Sequence, residues 1–183
     1  MAATRVLPAS ATLRLFFALW PDDAVRASLA ALTARLAAEC DGRPTAAANL
    51  HATLAFLGNV PEERVVEFTT LAENVRAAPF DLVLDTVGYW RHNRIVWVGA
   101  GQSPEPLAPL AQRLKSGLEA LPWPVDDRPY FPHVTLLRDA RRGPALRTTP
   151  LLLWRVSDFA LVSSTQQSGG VQYTPLRRWL LTG

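Results

Sequence analysis

Short apolar runs alternate along the chain with longer segments in which leucine and alanine recur every three or four residues. LRLFFALW, from Leu13 to Trp20, is apolar nearly throughout and predicts a buried strand. The next segment opens with Pro21 and two aspartates and keeps the helical spacing to about Cys40, which predicts a helix. The loop DGRPTAAAN follows, and then LHATLAFLG predicts a short strand that ends at Gly58.

The same alternation continues to the end of the chain. Helices are predicted for PEERVVEFTTLAENVRAA and SPEPLAPLAQRLKSGLEAL, because each begins with proline and acidic residues. Strands are predicted for FDLVLDTVGYW and RIVWVGA with the turn RHN between them, for HVTLLRD, and for VSDFALVSSTQ and QYTPLRRWLLT joined by QSGG. WPVDDRPYFP and RRGPALRTTPLL, the latter from Arg141 to Leu152, are expected to be loops.

Helices and strands mix here without a regular βαβ order, and several strands are neighbours in sequence, which is typical of an α+β fold with mainly antiparallel pairing. The order strand, helix, strand, helix in the first half partly recurs in the second. We therefore predict two pseudo-symmetric lobes of mainly antiparallel sheet, with helices outside and a central cleft. Residues 1–12 are expected to form a flexible N-terminal tail, and residues 13–183 a single bilobal domain.

Composition narrows the class of protein further. No apolar run approaches the ~18 residues of a membrane span, and the single cysteine, Cys40, can form neither an internal disulfide nor a metal cluster. We expect a cytoplasmic protein. Of the 19 basic residues only Lys115 is a lysine, which is explained either by a GC-rich genome or by phosphate recognition through guanidinium groups.

Two of the three histidines occupy the same pattern, His-x-Thr-Leu, in NLHATLAFLG and PHVTLLRDA. Residues i and i+2 of a strand share a face, so His51 lies beside Thr53, and His133 beside Thr135. Strict alternation turns the intervening residues into the core: Ala52, Leu54 and Phe56 in the first lobe, Val134 and Leu136 in the second. Each strand then presents an imidazole and a hydroxyl to the cleft.

Two facing imidazoles suit acid–base chemistry on a phosphodiester. Because their ordinary pKa is near ~6.5, one can be neutral and accept a proton while the other is protonated and donates one. A single histidine on an apolar strand is more often structural, but the repetition favours a functional pair. A two-histidine metal site would lack carboxylate or thiolate ligands at a recognisable spacing, and His92, in the RHN turn, is expected to be solvated.

These residues make the sequence recognisable, because it resembles the 2H phosphoesterase superfamily, whose signature is two H-x-[ST]-x motifs. Within it the chain is similar to the RNA 2′,3′-cyclic phosphodiesterases, also called 2′-5′ RNA ligases. RLFFAL, NLHATLAFLG, the GYW and RIVWVG segments, PHVTLLR and the closing SDFALVSS with its later tyrosine follow the family's order over nearly the whole chain.

The resemblance implies hydrolysis of RNA 2′,3′-cyclic phosphate ends to 2′-phosphates without a metal or other cofactor. It assigns His51 as proton donor, His133 as the acceptor that activates water, and Thr53 and Thr135 as phosphate-holding residues. Arg138 matches a substrate-contacting position, although strict alternation places it on the opposite face from Thr135. Phe131 can stack on a base or pack in the core.

RNA with a 2′,3′-cyclic phosphate end, tRNA fragments among the candidates, is the expected partner of a monomeric enzyme that does not bind membranes. The loop arginines Arg141, Arg142 and Arg147 are predicted to contact a longer RNA tail. Three alternatives stay open: hydrolysis of small cyclic phosphates, 2′-5′ end-joining by the reverse reaction, and an RNA-end binding module without turnover.

Overall fold

The computed structural model describes residues 11–145 and 148–182. Within them the chain forms three α-helices and nine strands. The strands are β1 Thr12–Leu19, β2 Arg43–Pro44, β3 Ala52–Pro61, β4 Phe80–Trp90, β5 Ile95–Gly99, β6 His133–Arg138, β7 Thr148–Val156, β8 Asp158–Gln167 and β9 Gly170–Leu180. The helices are α1 Asp23–Cys40, α2 Val65–Glu73 and α3 Leu107–Ala120, with short 3₁₀ turns at Ala47–Asn49 and Glu62–Arg64.

The strands form one antiparallel sheet in the order β7-β4-β5-β6-β3-β1-β8-β9, with β2 paired to the side of β6. A single Cα pair, Ala52 with Val134, joins β3 to β6 at the centre. Apart from β2, four strands therefore lie on each side of the junction, and the strand next to the junction on each side carries one histidine motif. The predicted α+β fold with two pseudo-symmetric lobes is confirmed.

The helices cover one face of this sheet. Asp22 caps α1 by accepting a hydrogen bond from the backbone N–H of Val25 at 2.8 Å, which satisfies one of the unpaired donors of the first turn. The apolar positions of α1 pack against β6 and β7, while α3 packs against β3. The main core lies between helices and sheet, and a smaller apolar cluster lies on the other face: Phe16, Ala18, Trp20, Ala160 and Val162.

Each histidine strand contains a β-bulge one residue after its threonine. Thr53 pairs with Ala18 and Ala55 with Phe17, so Leu54 has no partner on β1. Thr135 pairs with Trp97 and Leu137 with Val96, so Leu136 has none on β5. A bulge shifts the alternation of side chains by one, and the pair Leu136 and Leu137 is accordingly fully buried on one face.

The bulges determine on which face of the sheet Phe56 and Arg138 lie. Phe56 does not enter the core as strict alternation predicts; it is 46% exposed and lies on the cleft face with Thr53. Arg138 lies on the same face as Thr135, whereas alternation alone placed it opposite. Phe56 and Arg138 stand at the same offset from their histidines, five residues on, so the two lobes repeat the same irregularity.

Several predicted element bounds differ from the structure. The segment from Thr148 to Leu152 was expected to be loop but belongs to β7, and Val156 ends that strand rather than starting the next. Pro150 lowers the strand signal, yet β7 is an edge strand, where a residue without a backbone N–H is tolerated. Strand β3 starts after His51 and continues past Gly58 to Pro61. The φ of +75° at Gly58 accommodates a second register shift between β3 and β1.

The part of the chain expected to be an N-terminal tail is mostly outside the described residues, and so is Arg147. Thr12, the last residue of that expected tail, begins β1 and pairs with Pro61. None of the helices in the described ranges is long and apolar enough to cross a membrane.

Candidate active site

A cavity of about 270 Å³ lies on the cleft face where the two histidine strands meet. It brings together five of the six residues that the sequence predicted as a site: His51, Thr53, His133, Thr135 and Arg138. The sixth, Phe131, does not line the cavity, but its ring lies 6.1 Å from that of His133 and is 44% exposed. Sequence reasoning missed the other lining residues: Arg14, Phe16, Phe56, Ile95, Ser164 and Tyr173.

Both imidazoles are oriented by the same backbone hydrogen bond. Nδ1 of His51 lies 2.6 Å from the carbonyl oxygen of Asn49, and Nδ1 of His133 lies 2.9 Å from the carbonyl oxygen of Phe131. A carbonyl can only accept, so Nδ1 carries the proton in each ring. Nε2 is therefore the nitrogen that is left to exchange a proton with a bound molecule.

The two lobes differ at Nε2. The hydroxyl oxygen of Thr53 lies 3.1 Å from Nε2 of His51, and a neutral imidazole accepts a hydrogen bond from this hydroxyl. Nε2 of His133 has no such partner among the described residues. The first imidazole is thus held by two hydrogen bonds and the second by one, which gives the symmetric pair two distinct environments.

Aromatic rings pack around both histidines and partly bury them. His51 is stacked on Trp20 at 5.7 Å and touches Phe16 and Tyr173, with centroids at 4.8 and 5.1 Å. His133 meets the edge of Trp90 at 4.6 Å. In the second lobe Trp97 lies across Gly88, where any side chain would collide with its ring, and Phe131 packs on Trp97 at 4.8 Å.

Burial lowers the pKa of both histidines. Desolvation is the main cause for His51, whose pKa falls to about 4, and the positive charges of Arg138 and His133 lower it further against the opposing hydrogen bond to Asn49. Desolvation also lowers the pKa of His133, with Arg138 again contributing. Both rings are therefore mainly neutral near pH 7, and a bound phosphate would raise both pKa values.

Asn49 connects the first histidine to the far end of the chain. Its side-chain amide donates to the carbonyl of Val171 at 2.6 Å, and its side-chain oxygen accepts from the backbone N–H of Tyr173 at 3.0 Å. The buried amide thereby pairs with the edge of β9 as a strand would. Since the same residue's carbonyl holds His51, Asn49 fixes both His51 and the Tyr173 ring that packs on it.

Positive charge in the cavity comes from two arginines, Arg14 and Arg138, and no carboxylate is among the residues that line it. Neither arginine forms an ion pair with a described acidic residue. A cavity with two guanidinium groups, two hydroxyls beside two imidazoles and no acid favours an anion such as phosphate.

Arg141 and Arg142, the two loop arginines within the described residues, lie elsewhere. Trp90 contacts His133 on the cleft face, so its neighbour Tyr89 points to the opposite face of β4. On that opposite face a separate cavity is lined by Tyr89 together with Arg141 and Arg142. Arg142 donates to the carbonyl of Glu39 at 2.7 Å. This contact places the guanidinium at the C-terminal end of α1, where a cation is stabilising.

The fold has two pseudo-symmetric lobes, and each contributes one His-x-Thr motif to a single cavity that Arg14 and Arg138 also line. This is the architecture of a phosphoesterase with paired His-x-Thr motifs. The family model of the 2′-5′ RNA ligase superfamily matches residues 20–167. The chain belongs to this family.

Similar proteins of known name and structure support the assignment. The chain is 40% identical over 171 residues to the RNA 2′,3′-cyclic phosphodiesterase of Escherichia coli strain K12, covering 92% of this chain and 97% of the relative. It is 34% identical over 184 residues to the protein of that name from Thermus thermophilus, covering 93% and 91%. The structure superposes on E. coli LigT in its apo form with a TM-score of 0.87 at 39% identity, covering 95% of this chain and 100% of the other. LigT complexed with 3′-AMP gives a TM-score of 0.88 at 38% identity, covering 94% of this chain and 100% of the other.

Proposed function

We propose that this protein hydrolyses RNA 2′,3′-cyclic phosphate ends to 2′-phosphates by acid–base catalysis with two histidines. The observation that carries the proposal is the arrangement of His51 and His133, which line one cavity from two lobes with Nδ1 fixed on a backbone carbonyl and Nε2 left for proton transfer. The name shared by the E. coli and T. thermophilus relatives supports the same activity.

In the proposed reaction the phosphate binds between the two lobes. Nε2 of neutral His133 removes a proton from water, and the water oxygen attacks phosphorus. The bond from phosphorus to O3′ breaks on the opposite side, and O3′ takes the proton from Nε2 of protonated His51. The products are a 2′-phosphate and a 3′-hydroxyl, and the proton gained by His133 balances the one lost by His51.

His51 can act as the acid only after it gains a proton, because burial lowers its pKa to about 4. The negative charge of the phosphate favours that protonation. Substrate binding and proton uptake are therefore coupled, so that the acid forms only when there is a phosphate to receive its proton. Thr53, Thr135 and Arg138 supply donors for the non-bridging phosphate oxygens, and the Arg138 guanidinium offsets the charge that develops on them.

The proposal needs only side chains of this chain. Among the described residues no group of three or more histidine, cysteine or acidic side chains is positioned to hold a metal ion. The same two histidines would also serve end-joining, with the 5′-hydroxyl of a second RNA in place of water. Product analysis separates the two reactions.

The test is an assay with a short RNA that ends in a 2′,3′-cyclic phosphate, with chelator present throughout. We expect conversion to the 2′-phosphate and, when RNA with a 5′-hydroxyl is added in excess, little joined product at neutral pH. Binding of the RNA end without any turnover would point to a binding module instead. Activity that disappears with the chelator and returns with a divalent ion would contradict the metal-free mechanism.

A further inference from the structure

Three polar side chains form a row across the lobe that contains His51. Arg14 on β1 pairs with Ser164 on β8, and Ser164 pairs in turn with Tyr173 on β9. Residues directly opposite each other in antiparallel strands share a face, and all three line the cavity. We call Arg14, Ser164 and Tyr173 the polar row.

The groups of the polar row are available to a ligand. The guanidinium of Arg14 lies over the ring of Phe56 at 4.8 Å, and no described acidic side chain pairs with it. Within the described part of the chain, the hydroxyls of Ser164 and Tyr173 also form no hydrogen bond with a protein group. Tyr173 is nevertheless fixed, because Asn49 holds its backbone and its ring packs edge-on against Phe16 at 5.1 Å.

The second lobe has no counterpart of this row among the described residues. In the first lobe Phe16 on β1 pairs with Phe56 of the His51 strand, and in the second lobe Ile95 at the start of β5 takes the same place beside Arg138. Phe16 and Ile95 are therefore equivalent positions of the two lobes, and both line the cavity. The position that corresponds to Arg14 falls before the start of β5, in the turn that connects it to β4. The pseudo-symmetry of the two histidine motifs is therefore broken by polar groups on the His51 side.

Arg14, the charged end of the polar row, lies apart from the expected position of the reacting phosphate, whereas Tyr173 at the other end packs on His51. Arg14 precedes Ala18, the partner of Thr53, by four residues, which is about 14 Å along a strand with a rise of ~3.4 Å per residue. Consistently, the charge of Arg138 lowers the pKa of both histidines, whereas Arg14 is not among the causes. Arg14 is therefore positioned to contact a different part of a bound ligand from Arg138.

We propose that the polar row binds the phosphate on the 5′ side of the terminal nucleotide, so that the enzyme prefers substrates with a 5′-phosphate ester over cyclic nucleosides without one. A guanidinium beside two hydroxyls suits a phosphate monoanion or dianion. This inference rests on the proposed function. There the leaving O3′ lies beside His51, so the ribose and its 5′-substituent lie on the His51 side, where the row is.

The test compares adenosine 2′,3′-cyclic phosphate with its 5′-phosphorylated form and with a dinucleotide that has the same cyclic end. We expect kcat/KM to be at least about 10-fold higher for both phosphorylated substrates, the gain typical of a charge-assisted contact. Arg14→Gln lowers this preference about 10-fold, Arg14→Lys restores part of it, and Ser164→Ala lowers it less. The matched control is Arg35→Gln on the exposed face of α1, which leaves the preference unchanged.

An unchanged preference in both Arg14→Gln and Ser164→Ala overturns the inference, and so does a wild-type enzyme that does not distinguish the substrates. If the wild type hydrolyses none of them, the proposed function fails but the row is still tested by calorimetry. Adenosine 2′,5′-bisphosphate must then bind more tightly than adenosine 2′-phosphate, and Arg14→Gln must remove the difference. Equal affinities in that comparison also overturn the inference.

Discussion

Ala52 and Val134 face each other as the Cα pair that joins β3 to β6, and each directly follows one of the two cavity histidines. Both are almost completely buried, so the junction between the two lobes is packed in the core. The spacing of the two imidazoles is therefore set by the backbone pairing of the residues beside them, which is the rigid support that acid–base catalysis requires.

The first prediction concerns the two histidines. His51→Ala and His133→Ala should each lower kcat on a cyclic-phosphate RNA by about 10²–10⁴-fold, because each removes one proton-transfer group. His92→Ala is the matched control, since His92 is exposed in the turn between β4 and β5. Circular dichroism checks that the variants are folded. Near wild-type turnover in either cavity variant would rule out the two-histidine mechanism.

The second prediction concerns stability against pH. His51 has a pKa of about 4 in the folded protein against an ordinary value of 6.5. The unfolded chain therefore binds more protons between these values, and stability falls as pH decreases through this window. Protonation of carboxylates in ion pairs also destabilises the protein at low pH. The informative quantity is therefore the difference in the free energy of unfolding between wild type and His51→Gln. As the pH falls from 7.5 to 4, the free energy of unfolding of His51→Gln should rise by about 2–3 kcal/mol relative to that of the wild type. Urea titrations at several pH values measure this difference, and parallel stability curves for the two proteins would contradict it.

Much of the site could be predicted from the sequence, because a His-x-Thr pair on a strand shares a face whatever the strand pairs with. The bulges at Leu54 and Leu136 could not, since a bulge is a property of register with β1 and β5. Phe56 was consequently expected in the core and the face of Arg138 was undecided. Strand β7 was missed because Pro150 weakens its pattern and only its edge position makes that acceptable.

The partners of Asn49 illustrate a different limit. Its side chain pairs with Val171 and Tyr173, more than 120 residues away in sequence, and nothing in the local pattern around Asn49 indicates such a contact. Tyr173 stands in the closing segment that carries the family resemblance, but its place against His51 depends on the pairing of β8 with β9. Long-range contacts of this kind follow from the fold rather than from neighbouring residues.

The third prediction concerns Asn49 as a positioning residue. Asn49→Ala removes both hydrogen bonds to β9, so Tyr173 loses its anchor and His51 its packing partner. We expect kcat to fall about 10- to 100-fold, with a smaller change in KM, and stability to fall by about 1–3 kcal/mol. Asn49→Asp keeps the acceptor for Tyr173 and adds a negative charge near His51. This charge raises the pKa of the proposed proton donor and should move the alkaline limb of the pH–rate profile to higher pH.

The control for Asn49 is Asn74→Ala, because Asn74 donates to the carbonyl of Thr70 at 2.8 Å on an exposed part of the α2 C-terminal end. It should leave kcat unchanged. If Asn49→Ala has wild-type kcat and an unaltered pH profile, the contact to β9 serves the fold alone.

The fourth prediction revises the role expected for the loop arginines. Arg141 and Arg142 lie on the opposite face of β4 from His133, near the end of α1. Their joint replacement by glutamine should change KM for an oligonucleotide by less than about twofold, a screened long-range effect. Arg138→Gln should lower kcat/KM for long and short substrates alike, since Arg138 lines the cavity. A selective rise in KM for oligonucleotides in the loop variant would return these arginines to the RNA path.

The last prediction is the position of the phosphate in the product. A 2′,3′-cyclic phosphate can open at either of two bonds, and in-line attack requires the water and the leaving oxygen on opposite sides of phosphorus. The proposed reaction places the leaving oxygen beside His51 and the water beside His133, and the polar row of Arg14, Ser164 and Tyr173 on the His51 side is expected to hold the nucleotide in this one orientation. With O3′ next to His51 the product is the 2′-phosphate. Phosphorus NMR of the product from a dinucleotide with a cyclic end distinguishes the two isomers, with chemically opened substrate as the reference mixture. A predominant 3′-phosphate would reverse the orientation of the ribose, and a near-equal mixture would show that the cavity does not hold the ring in one in-line pose.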